Sequence, residues 1–211
     1  EGMFQFINPL VLDLNGCFVN GNLTLSSGQL SIIDSKGTGA YIGTITTNPG
    51  AVLAIGSGNI ISNGGAAIVN GGVLTIDGGA VIGKITDNGG EITVNADYNM
   101  ALLADVATMQ KALNVAIDGQ GVKFAQDIEG NLTVPQSPGT KITVDGDNKT
   151  MKGYIVVDGK SYAYPTTGTT IKNVHFDASA ISLGASVNLG DGGNTTRYTN
   201  NVTVDNCTFK G

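Results

Sequence analysis

A short strand motif that recurs at intervals of about 20 residues constrains this chain more than any other feature. The motif is an apolar residue, any residue and a second apolar residue, as in a strand with one buried face. Its copies in the first half are Leu12-Asp13-Leu14, Leu30-Ser31-Ile32, Leu53-Ala54-Ile55, Leu74-Thr75-Ile76 and Ile92-Thr93-Val94, which begin 18, 23, 21 and 18 residues apart. One such unit cannot bury its apolar face alone and gains a core only by stacking on copies of itself. The repeat therefore predicts a solenoid.

Turn residues separate these strands and define the coils of the predicted solenoid. The chain contains 32 glycines, and Gly, Asn, Asp and Ser occur between the strands, where the backbone has to visit left-handed conformations. The glycines follow no three-residue period, which excludes a collagen helix. The uneven repeat also lacks the strict hexapeptide period of a left-handed solenoid. We therefore expect an all-β, right-handed parallel β-helix whose coils are joined by loops of variable length.

The segment Tyr98–Asn114 departs from this repeat and predicts a helix. Its apolar residues follow helical spacing, and it is rich in good helix formers. A helix can cover the open end of a strand stack, and the alternative is a Met-bearing helix that binds a partner. We expect a first β-helix segment over 1–97, a capping helix within 98–116 and a second β-helix segment over 117–211. Because the sequence stops directly after a strand motif, we expect the second segment to be truncated at its C-terminal end.

Two later segments, Thr170–Phe176 and Thr203–Phe209, align 33 residues apart. Each has an asparagine after its first strand, Asn173 in one and Asn206 in the other. Asparagines at equivalent corners of stacked coils can hydrogen-bond to each other and to the backbone. The sequence therefore predicts that these two side chains stack. Between them lies a long polar excursion, Val187 to Asn201, which is the best candidate for a functional loop.

Charge and cysteine content exclude several classes of protein. The net charge is −6, with only 11 Lys and Arg residues, of which Arg197 is the sole arginine. This balance argues against binding to nucleic acid or to an anionic membrane surface, and no apolar run is long enough to span a membrane. Cys17 and Cys207 are interpreted as two free thiols rather than a disulfide framework. With His175 as the only histidine, no Cys/His metal site is expected, and no cofactor motif is present.

At this point the strand motifs resemble a known family. The segments Leu132–Pro135, Ile142–Gly146 and Thr170–Phe176, preceded by a helix, resemble the right-handed parallel β-helix, or pectin-lyase-like, superfamily. Leu12–Gly16 and Ile33–Gly37 resemble the β-helical regions of large bacterial surface proteins. The resemblance implies a secreted or cell-surface bacterial protein that contacts polysaccharide. The superfamily includes lyases, hydrolases, adhesins and phage tail-spikes.

No residue pattern in the chain indicates catalysis clearly. Asp145 and Asp147 could be Ca²⁺ ligands, but Asp-Gly and Asp-Asn are also ordinary turn sequences. Arg197 could act as the base of a lyase or as a surface arginine that binds a ligand. His175 lies between two apolar residues and is expected to point outward from a sheet, toward solvent. No catalytic residue and no metal ligand is therefore assigned.

Aromatic and polar residues in two loops of the second half form the candidate binding site. Tyrosine rings stack on sugars and anchor protein interfaces. The predicted ligand-binding residues are Tyr162, Tyr164, Asp191, Asn194, Arg197 and Tyr198. We expect a non-catalytic adhesin or stalk module, with polysaccharide or a host glycoprotein as partner. The alternative is a polysaccharide lyase or glycoside hydrolase of the pectin-lyase-like type, such as a phage tail-spike.

Overall fold

A computed structural model describes residues 9–159, 167–177, 179, 187–189, 199 and 201–211. It confirms a parallel β-solenoid: 59% of the described residues are in strands, these strands form parallel sheets, and the same residues contain one helix. The solenoid has about 7 turns. The chain divides into two compact units, Glu1–Leu102 and Leu103–Gly211.

The first unit is built from short strands that return to the same sheets in each coil. Its strands are β1 (Leu10–Asp13), β2 (Phe18–Asn20), β3 (Leu23–Leu25), β4 (Gly28–Ile33), β5 (Ala40–Ile42), β6 (Ile45–Thr47), β7 (Ala51–Ile55), β8 (Asn59–Asn70), β9 (Val73–Ile76), β10 (Ala80–Asp87) and β11 (Glu91–Val94), and β12 (Met100–Leu103) follows. One sheet has the order β1-β4-β7-β9-β11. A second sheet has the order β2-β5-β8-β6-β3, and β10 also pairs with β8.

The strand register confirms most of the predicted repeat. Leu30 pairs with Leu53, which pairs with Leu74, which in turn pairs with Ile92. The first predicted step was wrong by two residues, because Leu10 and not Leu12 pairs with Leu30. Leu10, Leu12 and Leu14 are spaced two residues apart, and a two-residue slip keeps every side chain on the same face. The apolar pattern therefore identifies the strand but leaves this register open.

Aliphatic columns fill the interior of the first unit. Ile32, Leu53, Ile55, Leu74 and Ile76 are all fully buried, and each side chain lies above its counterpart in the next coil. Burial of each such side chain is worth about 1.5–3 kcal/mol. Among the described strands only β9 pairs with β11, and the corresponding apolar residues of β11, Ile92 and Val94, are 40–46% exposed. A stack thus buries its own columns but leaves an open edge where it stops.

The second unit repeats this architecture with longer strands. It contains α1 (Val106–Val115), β13 (Gly121–Phe124), β14 (Ile128–Glu129), β15 (Leu132–Pro135), β16 (Lys141–Lys152), β17 (Ile155–Asp158), β18 (Gly168–Asp177), β19 (Val187–Leu189), β20 (Val202–Asp205) and β21 (Thr208–Lys210). One sheet has the order β12-β13-β16-β18-β20, with β14 paired to β16 and β21 paired to β18. The other has the order β15-β17-β19.

The helix begins later than the sequence indicated. The prediction placed it from Tyr98, but Met100–Leu103 forms strand β12 and helix α1 starts at Val106. The carboxylate of Asp105 caps the helix by accepting from the backbone N–H of Thr108 at 2.7 Å. A four-residue apolar run fits a strand as well as a helical turn, so spacing alone could not separate the two. Neighbouring strand β13, which pairs with β12, decides the outcome.

The same corner is built in both units from the same sequence. Gly21-Asn22-Leu23-Thr24 in the first unit corresponds to Gly130-Asn131-Leu132-Thr133 in the second. In each case the asparagine side chain accepts a backbone N–H from the next coil, that of Thr44 at 3.0 Å and that of Tyr154 at 3.1 Å. The asparagine therefore satisfies a backbone donor at the turn and fixes the spacing between two coils.

Candidate functional site

A row of alternating charges runs across the coils of the second unit. Lys123 pairs in register with Asp145, Asp145 with Lys172, and Lys172 with Asp205. Opposite charges on neighbouring strands attract, whereas like charges would repel. The row is the richest grouping of ionisable side chains on the described coils, and it contains the Asp145 that the sequence offered as a Ca²⁺ ligand.

Lysines and backbone groups already contact the two candidate carboxylates, those of Asp145 and Asp147. The Lys172 ammonium lies 3.3 Å from Oδ2 of Asp145. Asp147 is 2.9 Å from the Lys123 ammonium and 3.8 Å from that of Lys149. A cation site would need these oxygens to turn away from three ammonium groups. The arrangement fits a turn whose charges hold adjacent coils together better than it fits a metal site.

Asparagine side chains form a second row beside the charges, as the sequence predicted. Asn206 donates to Oδ1 of Asn173 at 2.7 Å, and Asn173 donates to Oδ1 of Asp145 at 2.9 Å. Both asparagines have a left-handed backbone, with φ of 46° and 55°, which Asn tolerates better than most residues. The predicted 33-residue alignment is confirmed as well, because Thr170 pairs with Thr203 and Phe176 with Phe209.

The pKa of the Asp145 carboxyl is shifted by these partners. Burial raises this pKa, but the hydrogen bonds from Asn173, from the backbone of Asp147 and from Lys172 outweigh it, and the net pKa is lowered. Conversely, the hydrogen bond to Asp147 raises the pKa of Lys123. Both shifts favour the charged forms of Asp145 and Lys123.

We expect acid to weaken the second unit through Asp145. A carboxyl with a lowered folded-state pKa stabilises the fold above its unfolded pKa of about 3.9, and this contribution is lost as the pH falls through the folded value. Asp145→Asn should therefore unfold at lower urea concentration at pH 7 and lose less stability than the wild type between pH 5 and pH 3. Asp205→Asn, in the exposed end of the same row, serves as the control and should follow the wild type more closely. Parallel pH profiles for Asp145→Asn and the wild type would refute this role.

His175 takes part in the stacking of β18 and β21. It lies between the buried side chains of Val174 and Phe176 and is itself half-buried on the opposite face, which agrees with the expected outward direction. Its Nδ1 lies 2.8 Å from the hydroxyl of Thr208. On the inner face, the rings of Phe176 and Phe209 stack at 5.2 Å. The histidine thus has a neighbour in the next coil, and its Nδ1 contacts a hydroxyl rather than a carboxylate.

The predicted binding residues, Tyr162, Tyr164, Asp191, Asn194, Arg197 and Tyr198, all lie outside the described residues. Their flanks are described. Strands β17 and β19, which precede the two segments, are paired, and so are β18 and β20, which follow them. The Thr167 hydroxyl donates to the carbonyl of Ser137 at 2.9 Å, and the Thr167 carbonyl accepts from Asn201 at 2.9 Å. Both segments are therefore attached to one corner of the second unit, one coil apart.

Buried polar groups on the described residues take part in hydrogen bonds. No group of three or more His, Cys, Asp or Glu side chains there could hold a metal ion, and each buried side-chain nitrogen or oxygen in the described ranges has a hydrogen-bond partner. Cys17 and Cys207 are free thiols, as interpreted from the sequence. No helix within these ranges has the length and apolar character needed to cross a membrane.

Sequence reasoning missed one buried carboxylate, that of Asp34. It is 4% exposed, and it accepts backbone N–H bonds from Gly16 at 2.6 Å, from Lys36 at 3.3 Å and from Gly39. Ser57 of the following coil donates its hydroxyl to the Asp34 carbonyl and accepts the Asp34 N–H. The available signal was the Asp34-Ser35-Lys36-Gly37 turn, but a turn sequence does not show that its carboxylate points inward.

Comparisons with known proteins leave the family open. No protein-family model matches the chain, and neither the curated proteins nor the solved structures gave a significant match. The parallel β-solenoid is therefore established by the strand pairing itself.

Proposed function

We propose that this chain is a non-catalytic, secreted or cell-surface β-helical module, an adhesin or stalk segment that presents a binding corner. The proposal rests on one observation: polar side chains of the described coils contact neighbouring coils. Asp145, Asp147 and Asn173 are held by lysines, asparagines and backbone groups of adjacent coils. Catalysis by a glycosidase needs two carboxylates available to substrate, and these carboxylates are engaged in stacking.

Polysaccharide or a host glycoprotein is the partner we propose for the corner where the two outer segments attach. The paired flanks at β17–β19 and β18–β20 support this, because they bring the ends of both segments to adjacent coils. The segments supply tyrosines and the sole arginine, which suit sugar stacking and charged hydrogen bonds. A bacterial surface origin and membership in the pectin-lyase-like superfamily belong to the same proposal.

A glycan and glycoprotein array tests this function. We expect the wild type to bind a subset of the array, and Tyr198→Ala and Arg197→Ala to weaken binding by at least about tenfold, or roughly 1.4 kcal/mol. Lys84→Ala, an exposed lysine of the first unit, is the control and should bind as the wild type does. Absence of binding at high protein concentration would count against sugar contact, and equal loss in the control would show that the segments are not the site.

A further inference from the structure

Strand β15 starts the sheet β15-β17-β19, and among the described strands only β17 pairs with it. Leu132 of this strand and Gln136, which directly follows it, direct their backbone N–H groups toward β17, at 3.0 Å to the carbonyls of Tyr154 and Asp158. In a parallel sheet, successive residues direct their backbone groups to alternate sides. Thr133 and Pro135 therefore direct theirs away from β17, to the edge where another strand could add.

Helix α1 packs beside this edge. The side chain of its Gln110 hydrogen-bonds to β15 in the way that the backbone of a neighbouring strand would. The side-chain amide of Gln110 donates to the Thr133 carbonyl at 2.8 Å and accepts the Thr133 N–H at 2.7 Å. These two bonds use both backbone groups of the residue. Asn114, one turn along the helix, accepts a further bond from Gln110 at 2.8 Å and holds its amide in place.

The other residue of β15 that directs its backbone groups to the edge is Pro135, which pairs poorly with another strand. Pro135 has no backbone N–H, so it can accept but not donate in a ladder. Thr133 is thus the residue within β15 that offers an outward donor and acceptor together, and Gln110 satisfies both. The helix is held by its own packing, with Met109, Ala112 and Leu113 buried.

We propose that Gln110 and Pro135 together close this edge, so that α1 prevents a β-strand of a second copy of the chain from pairing with β15. The glutamine replaces the missing strand with a single side chain. Exposed edges are templates for association, and covering one with a helix is a known way of protecting it. When the amide is removed and the proline is replaced, the edge regains the full set of donors that an incoming strand requires.

Hydrogen exchange of the Thr133 amide tests whether Gln110 satisfies the backbone of this edge. Gln110→Met keeps side-chain length and helix propensity but cannot bond to Thr133, and the Thr133 amide should exchange at least about tenfold faster. Amides of the central strands, such as that of Ile155, should keep their wild-type rates. Asn114→Ala is the matched control, since it removes the other partner of Gln110 and should change Thr133 exchange much less. Unchanged Thr133 exchange in Gln110→Met, or equal acceleration at Ile155, would overturn the closure.

Self-association tests whether the closed edge prevents pairing with a second copy of the chain. Gln110→Met combined with Pro135→Val restores an N–H at position 135, and light scattering coupled to size exclusion should show more association than the wild type at the same concentration. The associated form should protect the Thr133 amide again. A double variant that associates no more than the wild type would overturn the protective role of Gln110 and Pro135.

Discussion

We expect Gly153→Ala to lower the free energy of unfolding by about 3 kcal/mol or more. A Cβ atom at Gly153 would overlap the carbonyl oxygen of Gly130 in the preceding coil. The oxygen belongs to the backbone, and the Gly130 N–H bonds the Lys152 carbonyl at 3.0 Å, so neither coil can shift without losing pairing. Urea unfolding, followed by circular dichroism, measures the loss.

Gly119→Ala is the matched control for this prediction. A Cβ there would meet no atom within 4 Å, although the residue has a φ of +81°. The control should therefore cost only the backbone strain, about 1 kcal/mol. If Gly153→Ala were no more damaging than Gly119→Ala, the close approach of the coils at this corner would be refuted. The equivalent corner in the first unit, where a Cβ on Gly43 would overlap the carbonyl of Gly21, should respond in the same way.

The second large effect is expected at Asp34. Asp34→Ala leaves the N–H groups of Gly16, Lys36 and Gly39 without their acceptor in a nearly buried turn. An unsatisfied buried donor costs about 1–3 kcal/mol, so the variant should lose about 3 kcal/mol or more in urea unfolding. Asp34→Asn keeps one acceptor oxygen and should lose less.

Asp87→Ala provides the comparison for Asp34. The carboxylate of Asp87 also accepts two backbone N–H groups, from Gly89 at 2.8 Å and Gly90 at 3.1 Å, but it is exposed, so water replaces it. We expect a cost of no more than about 1 kcal/mol. Equal losses in Asp34→Ala and Asp87→Ala would show that the burial of Asp34 contributes nothing.

The stacking of the coils could be predicted from the sequence because it depends on periodic apolar residues. The pairing of Leu30, Leu53, Leu74 and Ile92 follows from their spacing, and the contact of Asn173 with Asn206 follows from equivalent corners. Prediction failed where the same apolar pattern fitted two registers or two kinds of secondary structure. The two-residue spacing of Leu10, Leu12 and Leu14 allowed a two-residue slip, and the apolar run at 100–103 suited a helix as well as a strand.

The polar contacts of Asp34, Gln110 and Asp145 could not be predicted from the sequence, because each joins residues whose proximity depends on coil length. Asp34 bonds to Gly16 across 18 positions, and Gln110 bonds to Thr133 across 23 positions. Neither carries a motif that distinguishes it from a surface residue. The same holds for Asp145, which the sequence offered as a metal ligand and which contacts Lys172 and Asn173 instead. The contact of Asp145 with Lys172 depends on the register of β16 and β18, which the sequence alone does not give.

Turnover of uronate polymers, with and without Ca²⁺, tests the central claim most directly. The claim is that the polar side chains of the coils serve stacking and perform no chemistry on a bound polysaccharide. Absorbance of unsaturated product and the release of reducing ends should both stay at the level of a heat-denatured sample, for the wild type and for Asp145→Asn alike. Product formed by the wild type and lost in Asp145→Asn variants that remain folded would contradict the account and favour the lyase or hydrolase alternative.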